Sequence, residues 1–225
     1  MRDIVSEGII TSTLEIVDNV TINAIEDYLS IGLDRSIGAM LLIEVDGQQG
    51  AVDVEAEVVK KVCHQNQAIS CKLANSDAER DSLWAARRAA LSSLARIKPS
   101  TILEDATIPR SKIVELVEAV NNIAKKHDIM IGTFGHAGDG NLHPTLLTDL
   151  RIKEEREKVE KAIEEIFEAT IELGGTLSGE HGIGISKAKY LKLEINDDVF
   201  GLMKRVKKAF DPNNILNPGK MHFDG

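Results

Sequence analysis

Cysteine, positive charge and long apolar runs are all scarce in this sequence. Only Cys63 and Cys71 occur, without the spacing of metal ligands, which excludes a disulfide framework and a cysteine-held metal; both thiols are expected as small buried hydrophobes. No apolar run approaches the ~18 residues of a membrane-spanning helix, and no signal peptide is evident. A reduced, cytoplasmic chain is the expectation. Lys and Arg number 27 against 36 Asp and Glu, and the formal net charge of −9 argues against a nucleic-acid face. A G-x-G-x-x-G dinucleotide fingerprint is absent as well. What remains is ordinary: 225 residues, 43% hydrophobic and 28% charged, enough for one sizeable globular domain.

Against these absences, histidine is concentrated. Three of the six lie in two short segments, Thr133-Phe-Gly-His-Ala-Gly-Asp-Gly-Asn-Leu-His143 and Ser178-Gly-Glu-His-Gly-Ile-Gly184. Asp139-Gly140 between β-type residues signals a hairpin, and a two-residue turn there sets His136 opposite His143. Directly opposed side chains have Cβ atoms about 4.5–5.5 Å apart on one face, near enough for two imidazoles to share an ion. Glu180 and His181, flanked by glycines, can be aimed into the same pocket. Two histidines and a carboxylate make a three-ligand set with an open position, the arrangement of catalytic metal sites. A cross-strand polar pair beside a plain turn is the alternative.

The chain reads as a strand over 9–17, a helix from Asp18-Asn19 to about Leu29, a strand over Ala39–Val45 and a helix over 50–66. A short strand at Ala68–Leu73 precedes a helix over Asp77–Ala95 that buries Trp84, Leu91 and Leu94. The strand Thr101–Ile108, a helix to Lys126 and the hairpin strands 129–135 and 142–147 follow. Helices over 151–173 and Val199–Phe210 close the chain, before a turn-rich tail. The order predicts an α+β fold: a ferredoxin-like, mostly antiparallel sheet of split βαβ units, with helices on one face and further C-terminal helices. His64, His127 and His222 have no partner pattern and are expected at the surface.

Gly135-His-Ala-Gly-Asp-Gly-Asn-Leu-His143, Ser178-Gly-Glu-His-Gly-Ile-Gly184, Trp84-Ala-Ala-Arg87 and Ile215-Leu-Asn-Pro-Gly-Lys220, in this order, resemble the C-terminal cap domain of FAD-linked oxidases of the vanillyl-alcohol-oxidase type. The branch they resemble holds the glycolate oxidase D-subunit and the D-lactate and D-2-hydroxyglutarate dehydrogenases. The resemblance spans the chain from about residue 9 and implies one cap domain over 1–225. FAD would be bound mainly by an N-terminal domain or subunit that this sequence lacks.

The resemblance further implies a divalent metal (zinc, manganese or iron) on His136, His143 and Glu180, with His181 as the base that takes the substrate hydroxyl proton. Arg87 would clamp the substrate carboxylate, and Asn217 would face the flavin. A metal lowers a hydroxyl pKa, a neutral imidazole accepts the proton, and a planar guanidinium grips a carboxylate at two points. The chain departs from the 2-hydroxyglutarate branch at Leu91, Leu103 and Thr145, where that branch has other, polar substrate contacts. A small or apolar-tailed 2-hydroxy acid such as glycolate or D-lactate is therefore expected. Implied partners are that acid, the FAD-binding body and an electron-transfer protein at the inner face of the membrane, with no nucleic acid and a homodimer left open. A stand-alone metal-dependent hydrolase and a non-catalytic interaction module are the competing readings.

Overall fold

The computed structural model describes residues 2–223. Helix α1 (Arg2–Ser6) precedes strand β1 (Thr13–Asp18), helix α2 (Asn19–Leu29), strand β2 (Ala39–Glu44) and helices α3 (Gln49–Gln65) and α4 (Asp77–Leu94). Strands β3 (Ser100–Leu103) and β4 (Ala106–Thr107), helix α5 (Ile113–His127), and the hairpin strands β5 (Met130–His136) and β6 (Asn141–Thr148) follow. Helices α6 (Lys153–Glu172) and α7 (Asp197–Phe210) come last. No helix among the described residues is long and apolar enough to cross a membrane.

The strands run β2-β1-β5-β6-β3, with β4 also on β6, and every neighbouring pair is antiparallel. Since β3 and β5 both lie antiparallel to β6 on its two sides, they are parallel to each other, and α5 joins them as one split βαβ unit. The β1-α2-β2 stretch is different, because its strands are direct antiparallel neighbours. The class is the expected one, α+β on an antiparallel sheet, but the helices cover both faces.

Strand alternation decides which residues meet which helices. Leu14, Ile131, Leu142 and Leu146 point to the face packed by Leu116 and Val120 of α5 and Ile163, Ile166 and Phe167 of α6. Val17, Phe134 and Leu147 point to the other, where Ile22 and Ile25 of α2 and Ala86, Ala90 and Leu94 of α4 lie. Asp18 caps α2 by accepting from the Thr21 amide at 2.8 Å, so the helix starts one residue after β1 ends. At Gly132 an added Cβ would stand 2.7 Å from both Leu94 and Thr21, which allows α2 and α4 to press directly on β5.

Several local expectations differ. Ala68–Leu73 forms no strand; no partner pairs with it among the described residues, Ile69 is 81% exposed, and β-propensity without a ladder does not make a strand. The stretch Thr101–Ile108 is not one strand but two, broken at Glu104-Asp105, whose carboxylates turn inward. Leu91 is exposed, because α4 turns the face with Ala86, Ala90 and Leu94 into the core instead. His127 is half-buried and lies 2.9 Å from Glu165, so it is not a free surface residue. Both cysteines are half-buried.

Candidate active site

The hairpin register differs from the two-residue turn. His136 pairs with Asn141 and His143 with Phe134, which leaves a four-residue turn, Ala137–Gly140. Tertiary contacts explain the longer turn: the Gly138 amide donates to Leu14 O at 3.0 Å, and the Ile108 amide donates to Gly140 O at 3.0 Å. Gly140, at φ +76°, has no room for a Cβ, which would stand 2.0 Å from Ile108 O. A shift of two residues keeps each side chain on its face, whereas a shift of one would reverse it. The two histidines are therefore diagonal neighbours, and still converge with ring centroids 5.4 Å apart.

The second segment reaches them as a loop wrapped around one carboxylate. Asp105 Oδ2, wholly buried, accepts from the Ser178 hydroxyl at 2.7 Å and from the amides of Glu180 and His181 at 3.0 and 2.9 Å. Burial raises the Asp105 pKa, yet the His181 amide, the Ser178 hydroxyl and the Glu180 amide outweigh it and hold the carboxyl at about 2. Lys187 approaches from below, donating to Asp105 O at 3.0 Å and Leu177 O at 2.7 Å. Gly179 is required for the close approach, since its Cβ would fall 2.1 Å from Thr107 Oγ1. Asp105→Ala is expected to release this loop while the sheet persists. One charge-assisted hydrogen bond contributes up to about 3 kcal/mol, so the Glu180 and His181 amides should exchange hydrogen roughly 100-fold faster. Unchanged exchange by NMR would show that other contacts hold the loop.

Held in this way, Glu180 Oε1 lies 3.3 Å from His143 Nε2, 3.7 Å from His136 Nε2 and 3.6 Å from His181 Nε2. Ligand atoms of His136, His143 and Glu180 all fall within 4.8 Å of one another. Around a tetrahedral ion bonded at ~2.0–2.1 Å, ligand atoms stand about 3.4 Å apart, so the two Glu180 separations fit such an ion. Burial depresses the His143 pKa, against the opposing pull of Glu180, which keeps its lone pair free at neutral pH. His143 Nδ1 is buried without a protein partner. His181 stacks on His143 at 5.1 Å and stays half-exposed, open to a ligand.

Arg87 joins the group through a residue that motif reading missed. Glu15, in β1, takes Arg87 Nε at 2.7 Å and His136 Nδ1 at 2.7 Å, while the guanidinium carbon sits 4.8 Å over the Phe134 ring. Asn217 belongs to a separate turn of the tail at φ +49°, and that tail reaches the loop where the Met221 amide donates to Gly184 O at 2.7 Å. Leu103 and Thr145 are directly paired on the face that carries His143. Asp105 and Lys187 were also missed. One available signal was the charge of Glu15 inside the apolar alternation Leu14-Glu15-Ile16-Val17, which needs a buried partner.

The antiparallel sheet of this α+β fold thus carries a His-His-Glu set at the end of one face, beside the half-buried Arg87. The chain belongs to the family described as FAD linked oxidases, C-terminal domain, whose model matches residues 1–221. It is 54% identical over 221 residues to the glycolate oxidase subunit GlcD of Bacillus subtilis, covering 98% of this chain and 47% of that protein. It is 37% identical over 218 residues to GlcD of Escherichia coli K12, covering 97% and 44%, and 29% identical over 216 residues to the mitochondrial D-lactate dehydrogenase (cytochrome) of Arabidopsis thaliana, covering 95% and 38%. The chain thus spans less than half the length of these curated relatives. Among solved structures its fold is similar to p-cresol methylhydroxylase, with TM-score 0.62, 14% identity and coverage of 93% of this chain and 46% of that one. The 4-ethylphenol oxidase of Gulosibacter chungangensis gives TM-score 0.60 at 17% identity, covering 92% and 47%.

Proposed function

We propose that this chain is the substrate- and metal-binding domain of an enzyme that oxidises a small 2-hydroxy acid, of the glycolate or D-lactate kind, to the 2-oxo acid. The observation that carries the reading is the convergence of His136, His143, Glu180, His181 and, through Glu15, Arg87 on one end of one sheet face. Membership of a family of FAD linked oxidases favours oxidation over hydrolysis at that site.

His136, His143 and Glu180 would hold a divalent metal, which supplies Lewis-acid polarisation of the substrate hydroxyl. FAD, held by a second domain or subunit, supplies the acceptor for the hydride. Arg87 spends its Nε on Glu15 and keeps its Nη donors for the substrate carboxylate. His181 Nε2 takes the hydroxyl proton as the C2–H bond gives up its hydride, so proton and hydride leave separately and a C=O bond forms. Leu103 and Thr145 offer no charge to a second carboxylate, which favours a short or apolar tail. Helix α7 supports the need for a second body, because Val199, Leu202, Val206 and Phe210 form one apolar stripe and all are exposed.

Calorimetric titration of the purified chain tests the reading. Zinc is expected to bind at one site, and the zinc-loaded chain to take D-lactate or glycolate at least about tenfold more tightly than D-2-hydroxyglutarate, whose second carboxylate must desolvate unpaired. Equal binding of all three acids with or without zinc would overturn it.

A further inference from the structure

Glu15 is a carboxylate in a place that ordinarily rejects one. It lies mid-strand in β1, 5% exposed, with Leu14 turned into the core on the opposite face and Val17 in the core on its own. A buried carboxylate persists where charged or hydrogen-bonding partners surround it. Its two oxygens have one partner each: Oε1 meets His136 Nδ1 at 2.7 Å, and Oε2 meets Arg87 Nε at 2.7 Å. The first contact is built into the sheet, because Glu15 and His136 are direct cross-strand partners. The second arrives from α4, 72 residues along the chain, with the guanidinium carbon seated over Phe134.

An ionised carboxylate only accepts hydrogen bonds, and Arg87 Nε only donates them. His136 Nδ1 must therefore carry the proton in the neutral ring. Its Nε2 is left with a bare lone pair, directed toward Glu180 Oε1 at 3.7 Å. We propose that Glu15 is a positioning residue which fixes the His136 tautomer for metal binding and, with its other oxygen, sets Arg87 for the substrate carboxylate. This inference rests on the metal-dependent oxidation proposed above. Through Glu15, one carboxylate ties the ligand that faces the metal to the cation that faces the substrate, so a shift of Glu15 disturbs both.

Replacement by glutamine separates this role from simple packing. Glu15→Gln preserves shape but offers one acceptor oxygen and one donor NH2. Arg87 cannot accept, so the amide oxygen goes to Arg87 and the NH2 faces His136 Nδ1. The ring must then accept at Nδ1 and carry its proton on Nε2, where a metal needs the lone pair. Arg87→Met leaves the Glu15–His136 bond in place and provides the contrast.

The experiment has two arms on the whole chain. Long-range 15N–1H correlation spectra of the metal-free protein, at a pH where the rings are neutral, read the His136 tautomer. Competition titration with a chromophoric chelator reads zinc affinity. The Nδ1–H form is expected for the parent chain and for Arg87→Met, and the Nε2–H form for Glu15→Gln. Zinc affinity should fall about 10- to 100-fold in Glu15→Gln, the range found when a partner of a ligating histidine is removed. An Nε2–H tautomer in the parent chain overturns the inference even if no variant folds, and so does a Glu15→Gln chain that keeps Nδ1–H. A parent chain that binds no zinc yet shows the expected tautomer switch would refute the metal reading and leave the role of Glu15 in fixing the ring standing.

Discussion

His143→Ala is expected to abolish tight metal binding, lowering affinity at least about 100-fold, while the domain stays folded. Affinity in a three-ligand site rests on every ligand, and each lost decade corresponds to about 1.4 kcal/mol. His143 is the most buried member of the set and its ring faces Glu180 at 3.3 Å. Folding should survive because the neighbours that hold β6 are backbone partners on β5 and β3, which alanine keeps. Removing the ring also breaks no protein hydrogen bond at Nδ1, which is buried without a protein partner. Elemental analysis after dialysis against limiting zinc, with circular dichroism on the same samples, checks both halves. Full occupancy in the variant would mean that the metal does not depend on His143, with His181 taking the third place beside His136 and Glu180.

That the site was visible in the sequence at all follows from periodicity. His136 and His143 were expected on one face from a turn placed at Asp139-Gly140, and the actual pairing is shifted by two residues, the one kind of error that preserves the face. The shift itself was hidden because its causes are distant: the turn is pinned by Leu14 from β1 and Ile108 beside β4. Strong helical periods, as in α6, fix an element's existence from local residues alone. Ala68–Leu73 has suitable residues but no edge to join, and a strand is a property of two segments. Covering both faces with helices depended on the same kind of information, namely which way Val17 and Leu14 point once β1 is paired.

The residues missed at the site share a trait: they act through other side chains. Ligand-type residues announce themselves by clustering, as His136, His143 and Glu180 do. Glu15 instead lies singly within an apolar strand and Asp105 in the break between β3 and β4, and what they do is set by partners 72 to 121 residues away. A lone acidic residue in a strand of alternating apolar type is thus evidence of a buried cation or donor, even where it does not say which one.

Beneath the loop lies the charge balance with the largest expected effect on stability. Lys187 Nζ stands 3.9 Å from both Glu104 Oε2 and Asp105 Oδ2, and all three side chains are buried. One cation faces two carboxylates, and Asp105 is already ionised by its loop donors. Burial accordingly pushes Glu104 up to about 7, although Lys187 pulls the other way. A folded-state pKa above the unfolded value means that the native protein holds the extra proton between about pH 4.5 and 7, so stability falls as pH rises through that window and is level above it. The full effect is about 3 kcal/mol at 1.36 kcal/mol per unit. Glu104→Gln should therefore match the parent near pH 4.5 and exceed it by that order at pH 8. Lys187→Met does the reverse: it strands buried carboxylates and should cost about 3–5 kcal/mol at pH 8. The cost should shrink toward pH 5, where Glu104 takes up a proton and only Asp105 lacks its cation. Urea unfolding of the parent and both variants at pH 5 and pH 8 decides the matter, because groups common to all three cancel in the differences. An equal loss for Lys187→Met at both pH values would mean that Lys187 acts through its hydrogen bonds to Asp105 O and Leu177 O, and not through its charge.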